Sequence, residues 1–436
     1  MRNRTSLDQN QVTILDQKGT KDPLYSSWAS LLTSPLVFIE DYDPNWMPTT
    51  ACGLLVTAQH YKEPEVSILR RAFENGLPTL ILADGILEYR NTWMHPDIVP
   101  GSIFQPVVGH KIACLGRSQA RVLESWGNIE KCEIVGAPRF DHLTVHRPRQ
   151  RQADEAFRFL VTTARTPGFT PQQITLVKRS LQDLKFWASQ HQHLGGIRIE
   201  LVWRLTQDLD RQIGVTNQLT QLSGQELTEI LNSVDAVITT PSTTMLEAML
   251  NALPVALLDY NNCPHYVPAA WTISAPRHLD QVLPELVDPP PAKMLYQDTV
   301  LHDALECRSP AAPRMVQLIE EMIRIAHDCR IRNEPVVFPP RILTDHQQGY
   351  HLPEERFDLR ALYPEHPVFG DMDRATLQVQ IEQLKNEQKR LRGIIRADNI
   401  LKEILKSFPG PRKLLRLWRE SRRKISPQAK LDVRVP

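Results

Sequence analysis

The stretch Val234-Asp-Ala-Val-Ile-Thr-Thr-Pro-Ser-Thr-Thr-Met-Leu-Glu-Ala-Met-Leu-Asn-Ala-Leu-Pro-Val-Ala-Leu-Leu-Asp259 decides the fold class. Residues 236–238 and 255–258 are short apolar runs with strand composition. Between them Pro241, Ser242, Thr243 and Thr244 open a helix that carries Met245, Leu246, Ala248 and Met249. Asn251 and Pro254 close it, because Asn tolerates a left-handed cap and Pro breaks the hydrogen-bond ladder. The result is a strand–helix–strand unit with hydroxyl residues at the first junction. Open α/β sheets bind ligands at that carboxyl edge. A helix start there offers free N–H groups and a positive dipole end to a phosphate.

Working outward, the same alternation recurs on both sides. Residues 1–30 are polar and read as an irregular N-terminus. In residues 31–148, strand-like runs at 36–39, 54–56, 79–83, 112–115 and 133–135 enclose helical patterns at 65–75 and 118–126. Alternating strands and helices predict a parallel, doubly wound sheet, a first Rossmann-like domain. A Pro- and Arg-rich linker covers 142–151. Residues 152–332 repeat the pattern with strands at 159–163 and 197–203, helices at 171–190 and 226–232, the opening unit, and helices at 279–286 and 314–329. Two such domains leave a cleft between them, where small-molecule sites usually lie.

Residues 334–370, rich in Pro, His and charge, read as a linker. Leu377, Ile381, Leu384, Gln388, Leu391 and Ile395 then alternate spacings of four and three, which predicts a coiled coil within 371–408 and a homodimer through 377–395. In the basic tail, residues 409–436, the segment 411–424 mixes Lys and Arg with Leu414, Leu415, Leu417 and Trp418. That pattern suits an anionic membrane surface rather than nucleic acid.

At 42% hydrophobic and 23% charged residues, the 436-residue chain has the composition of a soluble globular protein. Net charge is +1, yet eleven basic residues face three acids beyond position 400, leaving about −7 for the rest. The six cysteines are scattered, with no Cys-x-x-Cys, so neither a disulfide framework nor a zinc site is indicated. No apolar h-region follows the N-terminal arginines, and no run reaches the roughly 18–20 residues of a spanning helix. The expectation is a cytoplasmic protein, peripheral on the inner face of the plasma membrane. No dinucleotide-binding glycine motif, P-loop, His-Glu-x-x-His or Gly-x-Ser-x-Gly occurs. Asp41-Tyr-Asp43 and Asp371-Met-Asp373 are Asp-x-Asp triplets of the kind that hold a metal in other transferases, and such triplets are frequent by chance.

Residues 233–249 with Leu253-Pro-Val resemble the donor-binding region of GT-B-fold glycosyltransferases, nearest to bacterial surface-carbohydrate and capsule biosynthesis proteins. Gly136-Ala-Pro-Arg-Phe-Asp141 is similar to the segment ending the N-terminal domain in such proteins, and residues 83–91 fall where they carry a cleft-facing loop. The resemblance spans about 35–330. It implies two Rossmann-like domains, with a nucleotide sugar as donor substrate, a surface-glycan or lipid-linked acceptor, and no cofactor or metal. Glycerophosphotransferases and sugar-nucleotide 2-epimerases of the same superfamily are the alternative reaction types. A non-catalytic protein working through its coiled coil and tail is the alternative of another class.

By that resemblance Ser242, Thr243 and Thr244 hold the donor phosphate, and Glu247 binds the ribose. Thr244-x-x-Glu247 is equally a capping box. Arg204 stands where relatives have Arg-x-His-Pro, but this chain reads Arg204-Leu-Thr-Gln. Arg165, after the first strand of the second domain, suits phosphate through bidentate hydrogen bonds, or is a solvated loop residue. An inverting transfer needs a base for the acceptor hydroxyl; Asp84 at a strand end is the first candidate and Glu88 the second. His265 lines the donor pocket or is an ordinary loop histidine.

Overall fold

The computed structural model describes residues 10–16, 22–49, 51–58, 60, 63–98, 103–143, 155–216 and 224–344, with position 385 in addition. The chain divides into two units, Met1–Phe357 and Asp358–Pro436. The coiled coil, the basic tail and Asp371–Asp373 fall in the second unit, where only Lys385 is described.

The first α/β domain runs β1 (Gln11–Leu15), α1 (Pro23–Ala29), β2 (Leu36–Ile39), β3 (Cys52–Thr57), α2 (Glu65–Glu74), β4 (Thr79–Leu82), α3 (Tyr89–Met94), β5 (Lys111–Cys114), α4 (Arg117–Ser125) and β6 (Cys132–Ile134). Its six strands lie in the order β2-β1-β3-β4-β5-β6, all parallel. The second domain runs β7 (Phe157–Thr162), α5 (Pro171–Gln190), β8 (His193–Leu194), β9 (Ile197–Arg204), α6 (Leu209–Ile213), α7 (Gly224–Ser233), β10 (Ala236–Thr239), α8 (Thr244–Leu250), β11 (Val255–Leu258), β12 (Trp271–Ile273), α9 (Leu279–Val287), α10 (Pro291–Ala304) and α11 (Ala311–Ile331). Its strand order is β12-β11-β10-β7-β9-β8, parallel except for β8. Strands buried on both faces read as continuous apolar runs, as β3, β4, β10 and β11 do.

Three boundaries differ from the sequence reading. The N-terminus is not irregular throughout: β1 sits between β2 and β3, and α1 is capped by the Asp22 side chain accepting from Leu24 N at 3.0 Å. A five-residue strand among polar flanks leaves little periodicity to detect. Second, α11 returns to the first domain. Its Ala312, Met315, Leu318, Ile319, Met322 and Ile323 pack on Val12, Ile14, Leu54, Val56 and Leu80. Each large apolar side chain buried there contributes about 1.5–3 kcal/mol. Third, the start of the expected linker is a strap on the same domain. Lys111 Nζ donates to Pro339 O (2.7 Å) and Pro340 O (3.0 Å), and Glu133 accepts from Ile342 N (2.8 Å) and Leu343 N (3.2 Å). Lys111 and Glu133 pair at 2.9 Å with both side chains buried.

The crossover to α11 explains the Gly136–Asp141 motif. Asp141 caps α11, its two carboxylate oxygens each accepting at 2.7 Å, from Ala311 N and Ala312 N. Gly136 has φ +92°, and a Cβ there would lie 2.4 Å from Glu306 O, so only glycine fits. Buried Arg314 donates to Val135 O and Glu306 O, both at 2.8 Å, locking strand end and helix together.

Candidate functional site

The carboxyl ends of the two sheets face one another, and the loops leaving β4, β7 and β10 line a cavity of about 560 Å³. Asp84, Gly85, Ile86, Glu88, Asn91 and His95 form the first-domain wall. Ala164, Arg165, Thr166, Phe169, Pro241, Ser242 and Thr243 form the other. The sequence candidates Asp84, Glu88, Arg165, Ser242 and Thr243 therefore share one space.

Hydroxyls knit the second wall. Ala164 N donates to Thr240 Oγ1 at 2.7 Å, Thr206 N to Thr163 Oγ1 at 3.0 Å, and Ser242 Oγ lies 3.2 Å from Thr239 Oγ1. Threonines at the ends of parallel strands thus replace the missing ladder partners. Across the cleft, Ile86 N donates to Thr243 Oγ1 at 3.3 Å, leaving that hydroxyl its own proton to give. A Cβ on Gly85 would meet Thr243 Oγ1 at 2.6 Å, so glycine lets the two walls touch. Arg165 is exposed into this space and pairs with no carboxylate among the described residues.

The capping box is not formed: Thr243 is the helical N-cap, and no side chain bonds the helix start. At seven residues α8 is short, so the hydroxyls and Arg165 outweigh its dipole as anion partners. Thr244 begins the helix but does not line the main cavity.

Glu247 lies about one turn on and faces a second cavity of about 260 Å³, with Ser26, Ser27, Arg139, Phe140, His142 and Leu227. Its carboxyl makes no hydrogen bond to a described residue. Burial pushes its carboxyl up to about 7, against the pull of Arg139 and Arg204. Arg204 donates from Nη1 to Thr162 Oγ1 at 3.0 Å, and its burial is offset in part by Glu247. Arg204 thus stands between β7 and Glu247. Arg139 was not singled out by sequence, although it sits within the Gly136–Asp141 motif. Asn91, His95 and Phe169 carry no sequence signal of their own.

His265 does not line the main cavity. Its Nε2 lies 3.3 Å from Asp259 Oδ2, behind the wall formed by Glu88. Burial lowers its pKa, and the neighbouring Arg90 lowers it further, against Asp259. Asp43 accepts from Asn45 N at 2.7 Å and closes an exposed turn away from the cleft. Among the described residues no helix is long and apolar enough to cross a membrane.

No protein-family model matches the chain, and no curated protein matches it in sequence. Solved structures match it in shape. MnaA from S. aureus, in a co-structure with UDP, is 12% identical with a TM-score of 0.50, over 76% of this chain and 99% of that one. The UDP-GlcNAc 2-epimerase of Neisseria meningitidis, bound to UDP-GlcNAc, is 13% identical with a TM-score of 0.49, over 71% and 99%. The wall teichoic acid polymerase TagF is 12% identical with a TM-score of 0.46, over 73% and 91%. The chain has a GT-B-like fold of two Rossmann-like domains.

Proposed function

We propose that this chain is a nucleotide-sugar enzyme, a GT-B-type glycosyltransferase that moves a sugar to a surface-glycan or lipid-linked acceptor. One observation carries the reading. Arg165, Ser242 and Thr243, an anion-binding set, share a cavity with two carboxyls, Asp84 and Glu88. The donor diphosphate lies on Arg165 and the two hydroxyls, with its nucleoside toward Arg204 and Glu247. Asp84, exposed at the cavity, takes the acceptor hydroxyl proton as the anomeric carbon is attacked. Phosphate charge is met by guanidinium, so donor binding needs no metal. That MnaA holds UDP makes UDP the first probe.

The paired carboxyls in one cavity also favour a second reading, an epimerase in which one group removes a proton and the other returns it to the same sugar. Product analysis on a panel of nucleotide sugars, with and without acceptor, separates the two. Binding itself is tested by thermal shift of the full-length protein. A nucleotide at 100 times its dissociation constant adds about 2.7 kcal/mol, a rise of several degrees. The shift should persist in EDTA and vanish in Arg165→Ala combined with Ser242→Ala. Absence of any shift with millimolar nucleotides or nucleotide sugars would overturn the reading.

A further inference from the structure

The cavity between the domains holds polar side chains that the protein itself leaves unused. Glu88, Asn91 and His95 stand at positions i, i+3 and i+7 along α3 and its two caps, so one helix face presents all three to the cleft. The Asn91 carboxamide has no hydrogen-bond partner among the described residues. The His95 ring has one on its near nitrogen, where Nδ1 accepts from Asp97 N at 3.1 Å. In the neutral ring the proton therefore sits on Nε2, which has no partner among the described residues. The α3 face thus offers one group that both donates and accepts, and one N–H that donates.

These groups are held in place across the domain boundary. Phe169, on the loop after β7, packs its ring against that of His95, with centroids 5.0 Å apart at 44°. The loop is itself fixed twice. Phe169 N donates to Gln173 Oε1 at 2.8 Å, and buried Arg90 of α3 donates from Nη1 to Pro167 O at 3.0 Å. Hydrogen-bonding groups fixed before a ligand arrives lose little freedom when they engage it. Charge then decides what the face suits. Among the described residues the lining carries one guanidinium, Arg165, which stands on the opposite wall with the Ser242 and Thr243 hydroxyls. The α3 side carries the carboxyls of Asp84 and Glu88, and Arg90, which pairs with Glu88, does not line the cavity. A phosphate on this side would lie beside carboxylates and away from Arg165. Sugar hydroxyls, each both donor and acceptor, match a carboxamide and an imidazole N–H.

We propose that Asn91 and His95 bind the hydroxyls of an uncharged sugar ring, so that the acceptor presents a neutral glycan residue to the cleft rather than a phosphate-bearing polyol. Asp84 lies on the same wall, which makes this the acceptor's subsite. The acceptor role rests on the transferase reading of the cleft; carbohydrate binding by the α3 face does not. Phosphate and sugar are thereby divided between two walls, Arg165 with its hydroxyls on one and Asn91 with His95 on the other. Phe169 keeps the imidazole in the orientation that leaves Nε2 for the ligand.

Saturation-transfer NMR on the full-length protein tests this with methyl glycosides of glucose, galactose, mannose and N-acetylglucosamine, against glycerol phosphate. At least one glycoside should receive saturation with no nucleotide present. Asn91→Ala combined with His95→Ala should weaken its binding at least about fivefold. UDP affinity should stay within about twofold in that variant, because the phosphate partners lie on the other wall. A second measurement needs no variant. At about pH 8.5, where an ordinary histidine (about 6.5) is neutral, imidazole nitrogen NMR should show His95 as the Nε2–H tautomer, and its Nε2 signal should move with the bound glycoside. An Nδ1–H tautomer, no saturation of any glycoside, or unchanged glycoside affinity in the double variant would each overturn the assignment. So would glycerol phosphate binding that depends on Asn91 and His95. If the double variant instead loses the extra affinity of a nucleotide sugar over UDP, the ring bound there is the donor's and the acceptor subsite is refuted. The glycoside measurements use no nucleotide, so failure of nucleotide binding and failure of the sugar subsite remain separate results.

Discussion

Replacing Glu247 with Gln should stabilise the protein above neutral pH several times more than near pH 5, where the gain is below about 1 kcal/mol. The folded state holds the Glu247 proton up to about 7, against the usual 4.5, because burial opposes ionisation more than Arg139 and Arg204 assist it. Unfolding returns the side chain to water and to its ordinary value. The folded state therefore binds the proton more tightly, and this contribution is fully present below about pH 4.5. It is lost as pH rises toward about 7 and is constant above that. At about 1.4 kcal/mol per pH unit, the displacement corresponds to at most about 3.5 kcal/mol. The adjoining cavity admits water, so the expected gain from Gln at pH 8 is about 1–3 kcal/mol. Urea unfolding at pH 5 and pH 8 measures it, as a midpoint shift at constant slope. An equal effect at both pH values would refute the reasoning. Destabilisation at pH 8 would too, because it would mean that the two guanidiniums hold Glu247 as a favourable ion. A gain at pH 8 accompanied by weaker UDP binding would mark a residue retained for ligand at a cost to stability.

Two further outcomes follow from close contacts elsewhere. Gly85→Ala should cost about 1–3 kcal/mol by forcing the walls apart at Thr243. In a Thr243→Ala background the same change should cost at least 0.5 kcal/mol less, on the order of a typical coupling between touching residues; additivity in the double-mutant cycle would exclude the contact. Lys111→Met should destabilise by about 3–5 kcal/mol, since Glu133 stays buried without its cation. Limited proteolysis near residues 339–343 should accelerate in that variant, and an unfolding free energy within 1 kcal/mol of wild type would contradict the strap.

The local periodicities were strong enough to place most elements from sequence. Val255–Leu258 and Pro171–Gln190 stand where apolar runs and helical spacing put them, because a strand covered on both faces and a helix with one buried stripe leave direct patterns. The helix α10 escaped because its apolar side chains are distributed around it, as expected for a helix covered on several sides, and three consecutive prolines precede its body. The α3 segment, six residues long, is too short to show a period.

The candidate site divides in the same way. The hydroxyls at 242–244, Arg165 and Asp84 were legible because each follows a strand, and parallel sheets bring strand ends to one edge. Which of them share a cavity was a tertiary matter. Glu247 and Thr243 are four residues apart, yet they line different cavities. Asp259 and Glu88 are far apart in sequence, yet the fold brings Asp259 near enough for its charge to act on the Glu88 carboxyl. By itself the sequence determined most of the elements, their parallel arrangement and the chemistry available at the strand ends, because those depend on local periodicity and handed connections. Only the tertiary structure decided that α11 closes the first domain, that Arg139 faces Glu247, and that His265 stands behind the cleft wall. Those relations come from long-range packing and desolvation, which no local pattern encodes.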